Sequence, residues 1–133
     1  TVLTSQKVIE LAGEAANGAI AHVGLTADAP LAPVRAFRER FEREYKFIPD
    51  HNGVKGYTGV FVLKAAVEKV GRFDAKAVAQ ALHGMSIKVA QQPGVLMDVS
   101  FDANGDLDRE SFMTEARNGK QEVKEILPAL GAK

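Results

Sequence analysis

Cysteine is absent from the chain. Disulfides, thiol nucleophiles and cysteine-ligated zinc are thereby excluded, and the redox compartment is left open. Net charge is absent as well, because 17 basic residues balance 17 acidic ones. That balance argues against a dominant electrostatic partner such as nucleic acid or an anionic membrane. No apolar run approaches the ~20 residues of a membrane-spanning helix. No Gly-x-Ser-x-Gly elbow, Walker A loop or dinucleotide fingerprint occurs. His22, His51 and His83 are scattered over an expected strand, a loop and a helix end. None has a second histidine or a carboxylate at metal-ligand spacing. The expectation is therefore a protein without catalytic residues, metal or cofactor.

What is present is an ordinary globular composition. The 133 residues are 46% hydrophobic and 26% charged, enough for one domain with a buried core. One stretch stands out, Asn52 to Gly71 (NGVKGYTGVFVLKAAVEKVG). A glycine-punctuated lead-in carrying Tyr57 opens into a helix that is apolar on nearly every side, and Gly71 stops it. Such a helix must be covered on most sides, so it is the expected central packing element.

The rest of the chain is read around it. SQKVIELAGEAA, residues 5–16, keeps helical spacing and ends at Asn17-Gly18. AIAHVGLT, 19–26, is a short apolar run and reads as a buried strand; with the preceding helix it suggests an αβ unit of the parallel-sheet kind. Pro33 suits a first helical turn, and Val34, Phe37, Phe41 and Tyr45 form one stripe against a charged face. Arg35, Arg38, Arg40 and Arg43 alternate there with acidic residues, which is the pattern of a solvated face. Asp74 suits the N-cap of AKAVAQAL, with Gly84 as its stop. SIKVA and VLMDVSF read as strands, with Val95, Met97, Val99 and Phe101 on one side. ESFMTEAR and KQEVKEIL flank Asn118-Gly119, a strong hairpin signal.

Two segments invite a binding reading. Asp102 to Glu110 repeats oxygen-bearing side chains, but a calcium loop begun at Asp102 needs glycine sixth and glutamate twelfth. Leu107 and Met113 stand there, so a polar turn is the better account. Tyr57, behind His51 and Asn52 and between Gly56 and Thr58, sits where a helix N-terminus can receive a carboxylate or another small anion. It can equally be a tyrosine that anchors its helix by packing and one hydrogen bond. On the residues alone the packing account leads.

The stretches LAGEAANGAIAHVGLT, VRAFRERFEREY, NGVKGYTGVFVLKAAVEKVGRFDAKAVAQAL and PGVLMDVSFDANGDLDRESFMTEARNGKQEVKEILPAL, in that order, resemble the C-terminal part of the branched-chain amino-acid type of periplasmic solute-binding protein. These are the extracellular ligand-binding receptors of ABC importers. The likeness runs over essentially the whole chain, although its motifs are not catalytic signatures. It implies an α/β fold: the C-terminal portion of a two-lobed type I periplasmic-binding-protein fold, with a C-terminal β-hairpin. Residues 1–26 would give a second-lobe helix and strand, 27–109 the first-lobe helices and strands, and 110–133 the second-lobe hairpin, with Leu25 to Ala27 as the hinge. The opening at Thr1 without a signal-like segment fits a mature form or an excised piece, and the resemblance favours the piece.

The resemblance also places Asn52, Gly53, Val54 and Tyr57 at the ligand cleft, with His51 beside them. It implies a periplasmic receptor without catalysis that closes on a small amino acid, amide or aromatic acid. Its partners would be the membrane permease of the importer and the remaining N-terminal part of the receptor. A ligand-sensing regulatory domain of the same fold is the alternative. The central helix carries more apolar surface than 133 residues can cover. At about 25 cal/mol per Å2, one large wet face costs several kcal/mol. The isolated piece is therefore expected to form a homo-oligomer or a swapped dimer.

Overall fold

The computed structural model describes residues 3–132. Thr1, Val2 and Lys133, the outermost residues of the first and last expected segments, lie outside that range. Four helices come in order: α1 Gln6–Ala12, α2 Ala32–Tyr45, α3 His51–Val70 and α4 Ala75–Leu82. Six strands accompany them: β1 Ile20–Val23, β2 Ser86–Ile87, β3 Val99–Phe101, β4 Leu107–Asp108, β5 Ser111–Arg117 and β6 Lys120–Leu127. The strands form two three-stranded sheets, ordered β1-β5-β6 and β2-β3-β4.

Local chemistry explains where the helices begin and end. Pro33 lies in the first turn of α2, and Lys46 closes that helix in the left-handed region. Asp50 caps α3 by accepting from the backbone N–H groups of Asn52 and Gly53, and Gly71, at φ 76°, ends it. Asp74 caps α4 through the Ala77 N–H. The hairpin turn has φ 50° at Asn118 and 77° at Gly119, the paired positive values that a two-residue turn requires. It fixes the register Arg117↔Lys120, and a shift between Met113 and Thr114 leaves one extra residue on β6.

Three expectations are corrected. The first helix and strand do not open a parallel sheet. β1 pairs antiparallel with β5, Val23 opposite Phe112, because its neighbour is supplied by the hairpin more than eighty residues later. Residues 95–101 do not run as one strand. Pro93–Val95 is a 3-10 turn and Leu96 is left-handed at φ 64°, so the strand begins only at Val99. Met97 consequently packs in a different cluster from Val95 and Val99. The lead-in of the central helix is not a loop either: His51 is already its first residue, because the Asp50 cap starts the helix one turn early.

Two main clusters hold the structure. The first joins Val23, Leu25, Ala27 and Ala29 to Val34 and Phe37 of α2, Val54 of α3, and Phe112 of β5. Phe112 is fully buried; truncating such a phenylalanine to alanine costs about 3–5 kcal/mol. The second gathers Ala66, Val78, Met85, Ile87, Val95 and Val99 around the later half of α3. Gly94 marks a close approach within it: a Cβ there would stand 2.2 Å from a ring carbon of Phe61. α3 is not covered on most sides. Val60 and Leu63 are 64% and 54% exposed, which matches the surplus of apolar surface expected for this helix.

Candidate functional site

A large cleft, about 1150 Å3, opens between the hairpin turn and the start of α3. Its walls are the exposed side of α1 (Gln6, Lys7, Glu10), Asp28, Arg38 and Phe41, residues 47–50, Gly53, and Asn118 to Gln121. Phe47 and Ile48 are 60% and 45% exposed, so an apolar strip lies beside charged groups. That mixture of apolar lining and a few placed polar groups suits a small amphiphilic ligand.

The floor of this cleft is a hydrogen-bond network that no sequence motif announced. Arg38 on α2 donates to Asp28 Oδ1. Gln121 Nε2, on β6, donates to Asp28 Oδ2 at 3.2 Å and to Thr26 Oγ1 at 2.7 Å. The buried Thr4 hydroxyl lies 2.8 Å from Gln121 Oε1 and 3.0 Å from Thr114 Oγ1. Thr26 Oγ1 also accepts from the Asp28 N–H. The chain that leaves the first sheet is thus fastened both to the hairpin and to α2. Only the buried positions of Thr4, Thr26 and Thr114 could have hinted at it, since buried hydroxyls need partners.

The expected site residues are brought together at the first turns of α3, with distinct surroundings. Asp50 Oδ1 accepts from Asn52 N and Gly53 N, each at 2.9 Å, and Asn52 Nδ2 reaches Oδ2 at 3.3 Å. The Gly53 N–H is the foremost of the contacts that hold the Asp50 carboxyl below its ordinary range. The positive end of α3 is therefore already served by a carboxylate of the chain itself. Gly53 lines both the large cleft and a smaller cavity of about 330 Å3 beside Tyr57. Val54 is fully buried in the first core cluster. His51 is half-buried, and burial is the main cause pulling its pKa down.

Tyr57 is held on several sides. Its hydroxyl accepts from Arg40 Nη2 at 3.0 Å, and the Arg40 guanidinium carbon lies 5.8 Å from the ring centroid. Its ring packs at 4.6 Å on Phe37 and 4.9 Å on Phe61. Packing plus one hydrogen bond is what the geometry gives this tyrosine. The polar turn at Asp102 closes on itself, Oδ1 accepting from Asn104 N and Asp106 N. Among the described residues, no group of three or more acidic, histidine or cysteine side chains is arranged to hold a metal.

The chain matches the family described as periplasmic binding protein over residues 1–121. It belongs to that family. Solved structures agree on the fold. A leucine-binding protein from Thermotoga maritima is 24% identical with a TM-score of 0.74, over 92% of this chain and 34% of its own. A solute-binding protein of an ABC transporter from R. palustris, in complex with benzoate, is 26% identical with a TM-score of 0.72, over 92% and 34%. A leucine-, isoleucine-, valine-, threonine- and alanine-binding protein from Brucella ovis, in its closed conformation, is 19% identical at 0.71, over 91% and 34%. The chain thus spans about a third of the length of the periplasmic binding proteins it matches. No curated protein matches.

Proposed function

We propose that the chain is the C-terminal section of a periplasmic solute-binding receptor that delivers a small amino acid, amide or aromatic acid to the membrane permease of an ABC importer. The observation that carries this reading is its likeness, over more than nine-tenths of its own length, to ABC solute-binding proteins three times as long. No chemistry is asked of it. In the complete receptor, residues 1–26 and 110–133 belong to the second lobe and 27–109 to the first. The composition of the sheets supports this division, since β1, β5 and β6 come from the two end segments and β2 to β4 from the middle one.

In this reading the segment around Leu25 to Ala27 is the hinge. Asn52 and Gly53 present the first turn of α3 to the ligand, Val54 anchors that turn in the core, and Tyr57 backs it. The section does not bind alone, because the missing lobe surfaces complete the site. Ligand contacts to both lobes would select the closed state.

The test is a thermal-shift screen of the full-length receptor against amino acids, amides and aromatic acids. A ligand present at a hundred times its Kd stabilises by about 2.7 kcal/mol, so one class should raise the midpoint clearly. Silence from all three classes overturns the transport reading. Tyr57→Ala in that receptor should weaken the ligand by about tenfold, or 1.4 kcal/mol. Unchanged affinity with reduced stability would assign Tyr57 to packing alone.

A further inference from the structure

Every asparagine in the chain is followed by glycine: Asn17-Gly18, Asn52-Gly53, Asn104-Gly105 and Asn118-Gly119. Such a pair can react with itself. The glycine amide nitrogen attacks the asparagine carboxamide carbon, and no side chain on the glycine obstructs the approach. The sequence makes these pairs equals, but their hydrogen bonds do not. The Gly53 N–H donates to Asp50 Oδ1 at 2.9 Å in the first turn of α3. The Gly18 N–H donates to the Ala116 carbonyl at 2.9 Å, and the Gly105 N–H to the Asp102 carbonyl at 3.1 Å. The side chains of these three pairs are engaged as well. Asn17 Oδ1 accepts from the Asn118 N–H at 2.9 Å, and Asn52 Nδ2 donates to Asp50 Oδ2 at 3.3 Å. The Asn104 side chain is hydrogen-bonded to the Asp102 carboxylate.

Asn118 is different. It stands with Gly119 at the exposed tip of the β5–β6 hairpin. Among the described residues, neither the Gly119 N–H, nor the Asn118 carbonyl, nor the Asn118 carboxamide makes a hydrogen bond. The peptide that joins the two residues can therefore rotate without breaking one. A Cβ added at Gly119 would meet nothing within 4 Å, so there is room for that rotation. What fastens the tip acts on the atoms to either side. The Asn118 N–H is held by Asn17, and the Gly119 carbonyl accepts from Gln6 Nε2 at 3.1 Å.

We propose that Asn118 is a site of spontaneous modification, deamidated through a cyclic imide with Gly119, while the fold protects Asn17, Asn52 and Asn104. The Gly119 nitrogen gives its proton to water and bonds to Asn118 Cγ. The Cγ–Nδ2 bond breaks, and ammonia leaves carrying the returned proton. Water then opens the imide at either carbonyl, so one water enters for one ammonia lost and nothing is oxidised or reduced. Opening at Cγ gives aspartate. Opening at the main-chain carbonyl gives isoaspartate, whose main chain runs through Cβ and Cγ and is one methylene longer. The two-residue turn, with positive φ at both positions, has no room in its backbone for that methylene. Isoaspartate therefore releases the tip from Asn17 and Gln6 and loosens α1. Either product also alters the large cleft. Lys7, Arg38 and Lys120 on its walls balance Glu10, Asp28 and Asp50, and a carboxylate at position 118 leaves negative charge in excess.

The experiment ages the purified chain in warm, mildly alkaline buffer. Each asparagine is followed by mass spectrometry after glutamate-specific digestion, which isolates residues 116–122. Asn118 should lose ammonia about fivefold faster than Asn17, Asn52 or Asn104, the factor for one hydrogen bond that the others must first break. In urea, where those bonds are gone, the rates should converge. Gln6→Ala, which unties the Gly119 carbonyl, should speed the reaction at Asn118. Hydrogen exchange on the separated isoaspartate form should be faster at the Ile9 and Glu10 amides. Asn118→Asp carries the new charge without the added methylene and should keep their protection. The proposal fails if another asparagine reacts as fast in the folded chain, or if the preference for Asn118 survives in urea. It fails equally if isoaspartate leaves α1 as protected as before.

Discussion

At the scale of single residues, Asp50 decides how the central helix begins. It satisfies two backbone N–H groups that would otherwise be orphaned, and replacing it by alanine should cost about 1 kcal/mol. Urea denaturation of Asp50→Ala gives that figure directly. The pH dependence has a definite sign. Asp50 and His51 both have depressed pKa values in the folded chain, the first through the Gly53 N–H and the second through burial. A depressed value contributes stability that is present above the unfolded value and is lost as pH falls through the folded one. The start of α3 should therefore loosen on acidification in two steps. The His51 step falls below the ordinary imidazole value of about 6.5 and the Asp50 step below about 3.9. Hydrogen exchange at Gly53 across this range measures both, and exchange that slows with acidification beyond its intrinsic pH dependence would contradict the assignment. In Asp50→Ala the lower step should vanish.

At the scale of elements, α3 is half a core helix. Val54, Thr58 and Ala66 are buried, while Val60 and Leu63 stand in solvent and Phe73, just past its end, is 95% exposed. Replacing Leu63 by lysine should change the stability of the monomer by no more than about 0.5 kcal/mol, the usual range for an exposed position. It should also suppress self-association. Sedimentation of the wild-type chain as a stable dilute monomer would remove the need for a partner on this face. Much of this element was legible beforehand. Its apolar excess and its Gly71 stop follow from residues within a few positions of one another. Its true start was hidden because Asp50 looks like part of the break after α2, and only the cap geometry separates the two. The strand expected at 95–101 failed for a related reason. Alternating apolar residues fit a strand or two packed turns equally well, and the left-handed Leu96 sends Met97 to the other cluster. The partner of β1 could not be read at all, since antiparallel pairing with β5 depends on a contact across most of the chain. At the site, Tyr57 and Gly53 were visible as an aromatic and a glycine near a helix start. The Thr4–Gln121–Asp28–Arg38 network was not, because its members have no fixed spacing.

At the scale of the whole molecule, that network ties together the end segments and the middle of the chain. Gln121 alone touches Thr4, Thr26 and Asp28. Gln121→Leu should strand polar groups that are buried or half-buried, at a cost of about 2 kcal/mol. The effects of Gln121→Leu and Asp28→Ala should not add, with an interaction energy of about 1 kcal/mol. Simple additivity in a double-mutant cycle would show that the two ends of the network act independently. The first core cluster makes the same connection in apolar terms, joining Val23 and Phe112 of one sheet to Phe37 and Val54 of the helices.

The rings beside the cleft have a practical consequence. Phe47, Tyr45, Phe41, Phe37, Tyr57 and Phe61 form a continuous run from the cleft wall to the close approach at Gly94. The chain contains no tryptophan and only two tyrosines, and both tyrosines stand in this run. Its tyrosine fluorescence therefore arises from one wall of the molecule, giving a label-free optical readout of the smaller cavity that both tyrosines line, without any added dye.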